Sequence, residues 1–175
     1  RAAAVMMMEV EGPPPSLAEV LSSNDGKLVP DAELTCVLLA AANACDEIAK
    51  SLRTLSLAST SATGGTVNVQ GETQKGMDVI ANDLFTSALT GHVAAMASEE
   101  EEVVIEGMKN RKYEIAFDPL DGSSNLDTNL PTGSIFGVFQ HTPDQPFTGS
   151  GRQKIVAAGY ALYSASTELV LSLGG

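Results

Sequence analysis

The stretch AFDPLDGSSN, residues 116–125, places two aspartates three positions apart around a proline and follows them with Gly-Ser-Ser-Asn. Proline biases the residue before it, Asp118, toward extended backbone. Pro119 donates no N–H, which leaves the carbonyl of Leu120 as an extra oxygen ligand. Asp121 and Gly122 then turn the chain, and the amides of Gly122, Ser123 and Ser124 can face an anion. One decapeptide thus offers oxygens to a metal beside N–H donors to a phosphate. Taken alone, Asp-Pro-Leu-Asp-Gly is also an ordinary turn. The spacing of a calcium loop is absent.

The metal reading therefore rests on other acids. Glu99 and Glu100 follow a short predicted strand, while Glu72 and Asp78 flank the start of a predicted helix. Strand ends are where open sheets gather ligand sites. If these four converge with Asp118 and Asp121, the pocket holds uncompensated negative charge that cations must neutralise. Carboxylate oxygens in that number suit Mg²⁺ or Mn²⁺. Glu101 and Glu102 read as a solvated charged stretch. His92 and His141 receive no role, because neither has a partner at zinc spacing.

The elements that must carry these residues follow from periodicity. Ser16 caps a short helix to Leu21, and 22–26 is a turn. From Pro30-Asp31, apolar residues at three- and four-residue steps from Leu34 to Leu55 predict a long helix. Residues 56–66 are rich in Ser, Thr and Gly and read as a loop. A second helix is expected from about Gln74 to Leu89. Strands are expected at 93–97, 103–106, 112–117, 134–139 and 169–173, with a loop at 143–150. The 112–117 strand alternates Tyr113, Ile115 and Phe117 with Glu114 and Ala116 and ends at Phe117. Residues 155–163 read as helix. The fold class is α+β, a mixed sheet with packed helices.

Bulk properties bound the function. With 175 residues and 43% hydrophobic content, the chain can form one cored domain. Its net charge of −12 disfavours nucleic acid or an anionic membrane as partner. No apolar run is long enough to span a bilayer, so a soluble intracellular protein is expected. Cys36 and Cys45 are nine residues apart on the long helix. That is roughly 13–14 Å of rise, too far for a disulfide, and both read as buried free thiols. The first residue is Arg and Gly12–Pro15 is polyproline-like, so residues 1–30 are expected to be a partly flexible extension cut from a longer protein.

Together, NVQGETQKGMDVIANDLF (68–85), ASEEE (97–101), KYEIAFDPLDGSSNLD (112–127), GSIFGVF (133–139) and VAAGYALYSAST (156–167) resemble the fructose-1,6-bisphosphatase family, in order, from about Asp31 to the end. The resemblance implies the N-terminal half of a layered α/β/α/β/α sugar phosphatase fold. Residues 31–175 would be the metal and regulatory domain, ending before the substrate domain. It implies Mg²⁺-dependent removal of the 1-phosphate from fructose 1,6-bisphosphate, with two or more Mg²⁺ or Mn²⁺ ions. Glu72, Glu99, Asp118, Asp121 and the Leu120 carbonyl would bind metal. Asp78 and Glu100, with help from Glu72, would position and deprotonate the attacking water. Asp121, Gly122, Ser123 and Ser124 would contact the substrate phosphate.

The resemblance further implies a homotetramer, in cytoplasm or plastid stroma. Glu33, Thr35, Lys112 and Tyr113 match an AMP-inhibition site. Asp31-Ala32 and Gln140 depart from it, adding an acid and losing an arginine, which disfavours an anionic phosphate. Residues 141–154 contain no cysteine, which excludes thioredoxin control through that loop. The alternatives are a sedoheptulose-1,7-bisphosphatase and a non-catalytic metal-binding or assembly fragment.

Overall fold

The computed structural model of the chain describes residues 15–22, 31–59, 69–128, 130–143, 146–148 and 154–173. Helix α1 (Leu17–Leu21) starts in a reciprocal cap: the Ser16 hydroxyl accepts from the Glu19 N–H, and the Glu19 carboxylate accepts from the Ser16 N–H. Leu21 is buried in the common core, so this part of the N-terminal extension packs onto the domain. The stretch Gly12–Pro14 and the turn after Ser22 lie outside the described residues.

Helix α2 (Ala32–Ser59) begins where the Asp31 carboxylate accepts from the Glu33 N–H at 2.8 Å. Its stripe buries Leu34, Leu38, Ala41, Cys45 and Ile48, as the periodicity predicts. It runs past Leu55 to Ser59, so 56–59, expected as loop, is its last turn; 60–68 lie outside the described residues. Helix α3 (Val69–Leu89) begins before the expected Gln74 and places Glu72 inside the helix.

Six strands follow: β1 (Ala95–Ser98), β2 (Ile105–Glu106), β3 (Tyr113–Asp121), β4 (Thr132–Gln140), β5 (Ile155–Tyr163) and β6 (Thr167–Leu173). They form one sheet in the order β2-β1-β3-β4-β5-β6. β1 and β3 are parallel and every other pair is antiparallel, giving the expected mixed sheet. A 3₁₀ helix, Ser123–Thr128, follows β3.

Residues 155–163 form a strand, not the expected helix. Alanine-rich sequence favours helix on intrinsic propensity, but β4 and β6 supply hydrogen-bonding ladders on both sides. The small inward residues serve close packing. A Cβ at Gly159 would come within 2.6 Å of the Phe136 ring and 2.7 Å of Leu171. β3 also departs from expectation, continuing through Asp-Pro-Leu to Asp121 instead of ending at Phe117. The expected strand 103–106 shrinks to β2, leaving Val103 and Val104 exposed.

The core lies between one sheet face and the helices, where Phe85 of α3 stacks on Phe117 of β3 with centroids 4.8 Å apart. On the other face, Ile135, Tyr160 and Val170 form an exposed cross-strand row. Cys45 is buried and free, but Cys36, expected buried, is exposed. Among the described residues no helix is long and apolar enough to cross a membrane.

Candidate metal and phosphate site

Parallel pairing of β1 with β3 is what gathers the acids. Ser98 is in register with Phe117, and the Glu99 N–H donates to the Phe117 carbonyl at 3.0 Å. The SEE turn and Asp118 therefore leave neighbouring strands on one edge. Helix α3 packs against β3 and the 3₁₀ helix, which brings Asp78 to the same edge. Asp78, Glu99, Glu100, Asp118 and Asp121 share one electrostatic neighbourhood. The Glu72 backbone lies in α3, and its side chain is outside what the structure describes.

The fields in this pocket follow from that convergence. Partial burial, then repulsion from Asp78, Glu99 and Asp118, raises the Glu100 carboxyl above the usual carboxylate range. Asp118 is raised too, first by burial and then by Asp121, Glu99 and Asp78, against a hydrogen bond from the Leu120 N–H that lowers it. That bond, Leu120 N–H to Asp118 Oδ1, measures 3.1 Å.

The strand carrying Asp118 and Asp121 is bulged. Asp118 pairs with Ile135 and Asp121 with Gly133, so three steps on β3 oppose two on β4. The extra residue breaks the alternation and accounts for a strand reaching further than its pattern suggests. Gly122 follows at φ +75°, a left-handed conformation that glycine adopts without steric cost. The chain turns there into the 3₁₀ helix, closed by the Asn125 N–H on the Gly122 carbonyl at 2.8 Å. The predicted turn chemistry thus belongs to Gly122 and not to Asp-Pro-Leu-Asp.

Two residues that sequence reasoning passed over hold the SEE turn. The buried Ser98 hydroxyl donates to Asn82 Oδ1 at 2.7 Å and accepts from the Glu100 N–H at 3.3 Å. Asn82 Nδ2 donates in turn to Glu101 Oε1 at 2.9 Å. Glu101 is therefore tied to α3, not merely solvated. The available signal was spacing, since Asn82 lies four residues after Asp78 on one helix face.

The donor chemistry fits a hard divalent cation. Asp78 Oδ1 is buried without a hydrogen-bond partner, and every candidate ligand is an oxygen. Among the described residues, no three such side chains are gathered closely enough to hold an ion. The fit is thus one of charge and donor type.

The residues matched to an AMP site form a separate cluster. Lys112 Nζ and the Tyr113 hydroxyl both donate to Asp31 Oδ2, at 2.9 and 3.0 Å, and the Lys112 N–H donates to Glu33 Oε1 at 2.8 Å. Thr35 donates its hydroxyl to the Asp31 carbonyl at 3.3 Å. This lysine and the tyrosine hydroxyl already hold this chain's own carboxylates. Next to the cluster, Glu114, which alternates with the apolar residues of β3, is buried. It accepts from the Phe147 N–H at 2.8 Å and bonds His141 Nδ1 at 2.9 Å. His141 thus has a structural partner that its isolation in the sequence hid.

A mixed sheet backed by two long helices, with carboxylates from three elements near the ends of β1 and β3, defines an α+β domain with an acidic strand-end neighbourhood. The family model for the fructose-1,6-bisphosphatase N-terminal domain matches residues 19–175, and the chain belongs to that family. It is similar to the class 1 fructose-1,6-bisphosphatase of Acinetobacter baylyi, 41% identical over 165 residues, covering 91% of this chain and 50% of that protein. The chloroplastic fructose-1,6-bisphosphatase of Pisum sativum is 38% identical over 184 residues, covering 91% of this chain and 45% of its own. The holo crystal structure of Leishmania major fructose-1,6-bisphosphatase superposes with a TM-score of 0.71 at 30% identity, covering 93% of this chain and 49% of that one. This chain spans about half the length of these relatives.

Proposed function

We propose that this chain is the acid-bearing half of a fructose-1,6-bisphosphatase, which hydrolyses the 1-phosphate of fructose 1,6-bisphosphate to fructose 6-phosphate and phosphate. The observation that supports the reading is that Asp78, Glu99, Glu100, Asp118 and Asp121 share one electrostatic neighbourhood past the ends of β1 and β3, in a chain of this family. Glu72, Glu99, Asp118, Asp121 and the Leu120 carbonyl would hold two or more Mg²⁺ or Mn²⁺ ions. Bound there, the ions would neutralise phosphate charge and lower the barrier to attack by water.

The chain's own groups supply the remainder. Asp78, whose Oδ1 is buried and unpartnered, would help orient the attacking water. Glu100, whose carboxyl is raised by its surroundings, suits the transfer of the water proton. As water oxygen bonds phosphorus, the ester P–O bond breaks and the sugar oxygen leaves with a proton. Gly122, Ser123 and Ser124 amides, with Asp121 beside them, would line the phosphate. The AMP-like cluster is read as closed to an anionic effector, because Asp31 occupies its lysine and its tyrosine hydroxyl.

Family architecture also suggests a homotetramer acting on a phosphorylated sugar. The 175-residue chain alone is expected to bind metal weakly and turn over little, since its relatives carry as much chain again. The test joins this chain to the remaining half of the Acinetobacter baylyi relative and measures phosphate release with Mg²⁺. Fructose 1,6-bisphosphate should be hydrolysed in preference to sedoheptulose 1,7-bisphosphate. D118N and E99Q should each lower kcat at least a hundredfold. A folded hybrid whose activity survives D118N, or that prefers the sedoheptulose ester, would overturn the reading.

A further inference from the structure

A buried pair of hydroxyls leads from β5 to the acidic strand. Ser134 of β4 is wholly buried, and its hydroxyl donates to the Pro119 carbonyl at 2.7 Å. The Tyr163 hydroxyl of β5 lies 2.6 Å from the same Ser134 oxygen. A serine hydroxyl has one proton, and that proton is spent on Pro119, so Tyr163 must be the donor in the second bond. Cys45 of α2 is buried beside these two hydroxyls. The line therefore has one direction: phenol, serine, then the Pro119 carbonyl.

That carbonyl belongs to the peptide joining Pro119 to Leu120, inside the bulge where the ladder with β4 is interrupted. Pro119 is fully buried, so its carbonyl needs a protein partner in place of water. The other pole of the same peptide, the Leu120 N–H, donates to Asp118 Oδ1 at 3.1 Å. One peptide plane is thus gripped at both ends, by Ser134 on one side and by the Asp118 carboxylate on the other. Turning the plane would swing the N–H that orients Asp118 and re-aim the backbone leading into Asp121.

We propose that Ser134, with Tyr163 behind it, is a positioning residue for the acidic strand: it fixes the Pro119–Leu120 peptide and, through the Leu120 N–H, the direction of the Asp118 carboxylate. This rests on the metal-site reading for its functional consequence, but the positioning itself is testable without metal.

The experiment compares the 175-residue chain with S134A, Y163F and S134A/Y163F. It reads amide hydrogen exchange at Leu120 in metal-free protein and Mn²⁺ affinity by electron paramagnetic resonance. Loss of one buried hydrogen bond predicts about tenfold faster Leu120 exchange in S134A and a smaller change in Y163F. Core amides of Met77 and Phe85 should keep their rates. Mn²⁺ affinity should fall about tenfold in S134A. The double variant should match S134A, because Tyr163 acts only through Ser134. Equal acceleration at Leu120, Met77 and Phe85 would reduce Ser134 to a general stability role and overturn the proposal, as would unchanged Leu120 exchange. If S134A does not fold, Y163F carries the same comparison. The metal reading stands or falls with D118N in the hybrid enzyme, while Leu120 exchange decides the positioning whether or not the isolated chain holds Mn²⁺.

Discussion

Replacing Asn82 by alanine tests how the SEE turn is held. Asn82 is 8% exposed and makes two side-chain bonds, accepting from the Ser98 hydroxyl and donating to Glu101. In N82A the Ser98 hydroxyl, also 8% exposed, loses its acceptor in a largely buried place. An orphaned buried donor costs about 1–2 kcal/mol. The bond to the exposed Glu101 carboxylate contributes about 0.5 kcal/mol after screening. The sum, about 2 kcal/mol, lowers Tm by about 4–8 °C in a chain of this size.

Thermal and urea unfolding followed by circular dichroism would read the change, and S98A separates its parts. If the orphaned hydroxyl dominates, N82A/S98A should be less destabilised than the sum of the single variants by about 1 kcal/mol. The loosened turn should also weaken Mn²⁺ binding through Glu99 and Glu100. A Tm within 1 °C of wild type (about a quarter of a kcal/mol), or strict additivity, would refute the reasoning that Ser98 and Asn82 act as a unit.

Further outcomes follow from the two thiols and from the start of α2. Exposed Cys36 should react with a thiol reagent in the native chain, while Cys45 should react only after unfolding. Burial pushes the Cys45 thiol up to about 11, so its contribution to stability is fully present below the ordinary thiol pKa and is lost as pH rises through about 11; urea midpoints across that window would check it. D31A should cost about 1 kcal/mol by removing the cap of α2. The hydrogen bond from Lys112, then that from the Glu33 N–H, holds Asp31 below the usual carboxylate range, so its contribution is present above the unfolded pKa and lost as pH falls through the folded one. Wild type and D31A should therefore converge in stability under acid, as measured by midpoint against pH.

Much of this was legible because it is local. The α2 stripe, the Ser16 cap, the strands at Ala95 and Thr132, and the acids of the DPLDG and SEE segments are matters of spacing and residue type, which a chain displays before it folds. What misled was local as well. Alanine and glycine at 155–163 look helical until two neighbouring strands supply their hydrogen bonds. Glu114 alternates as a solvent-facing residue should, but a later segment covers it with Phe147 and His141. Asp-Pro-Leu-Asp has turn composition, although a bulge keeps it in β3.

The sequence by itself determined which carboxylates this chain has, how they sit on their own segments, and which family they belong to. Only the tertiary structure decided that they meet. Parallel pairing of β1 with β3 carries Glu99 to Asp118, and α3 lying against β3 adds Asp78. It also decided who holds them: Ser98 and Asn82 for one turn, Ser134 and Tyr163 for the bulge. The physical reason is that a buried hydroxyl or carbonyl must find a partner, and its partner is set by which strands become neighbours, not by distance along the chain.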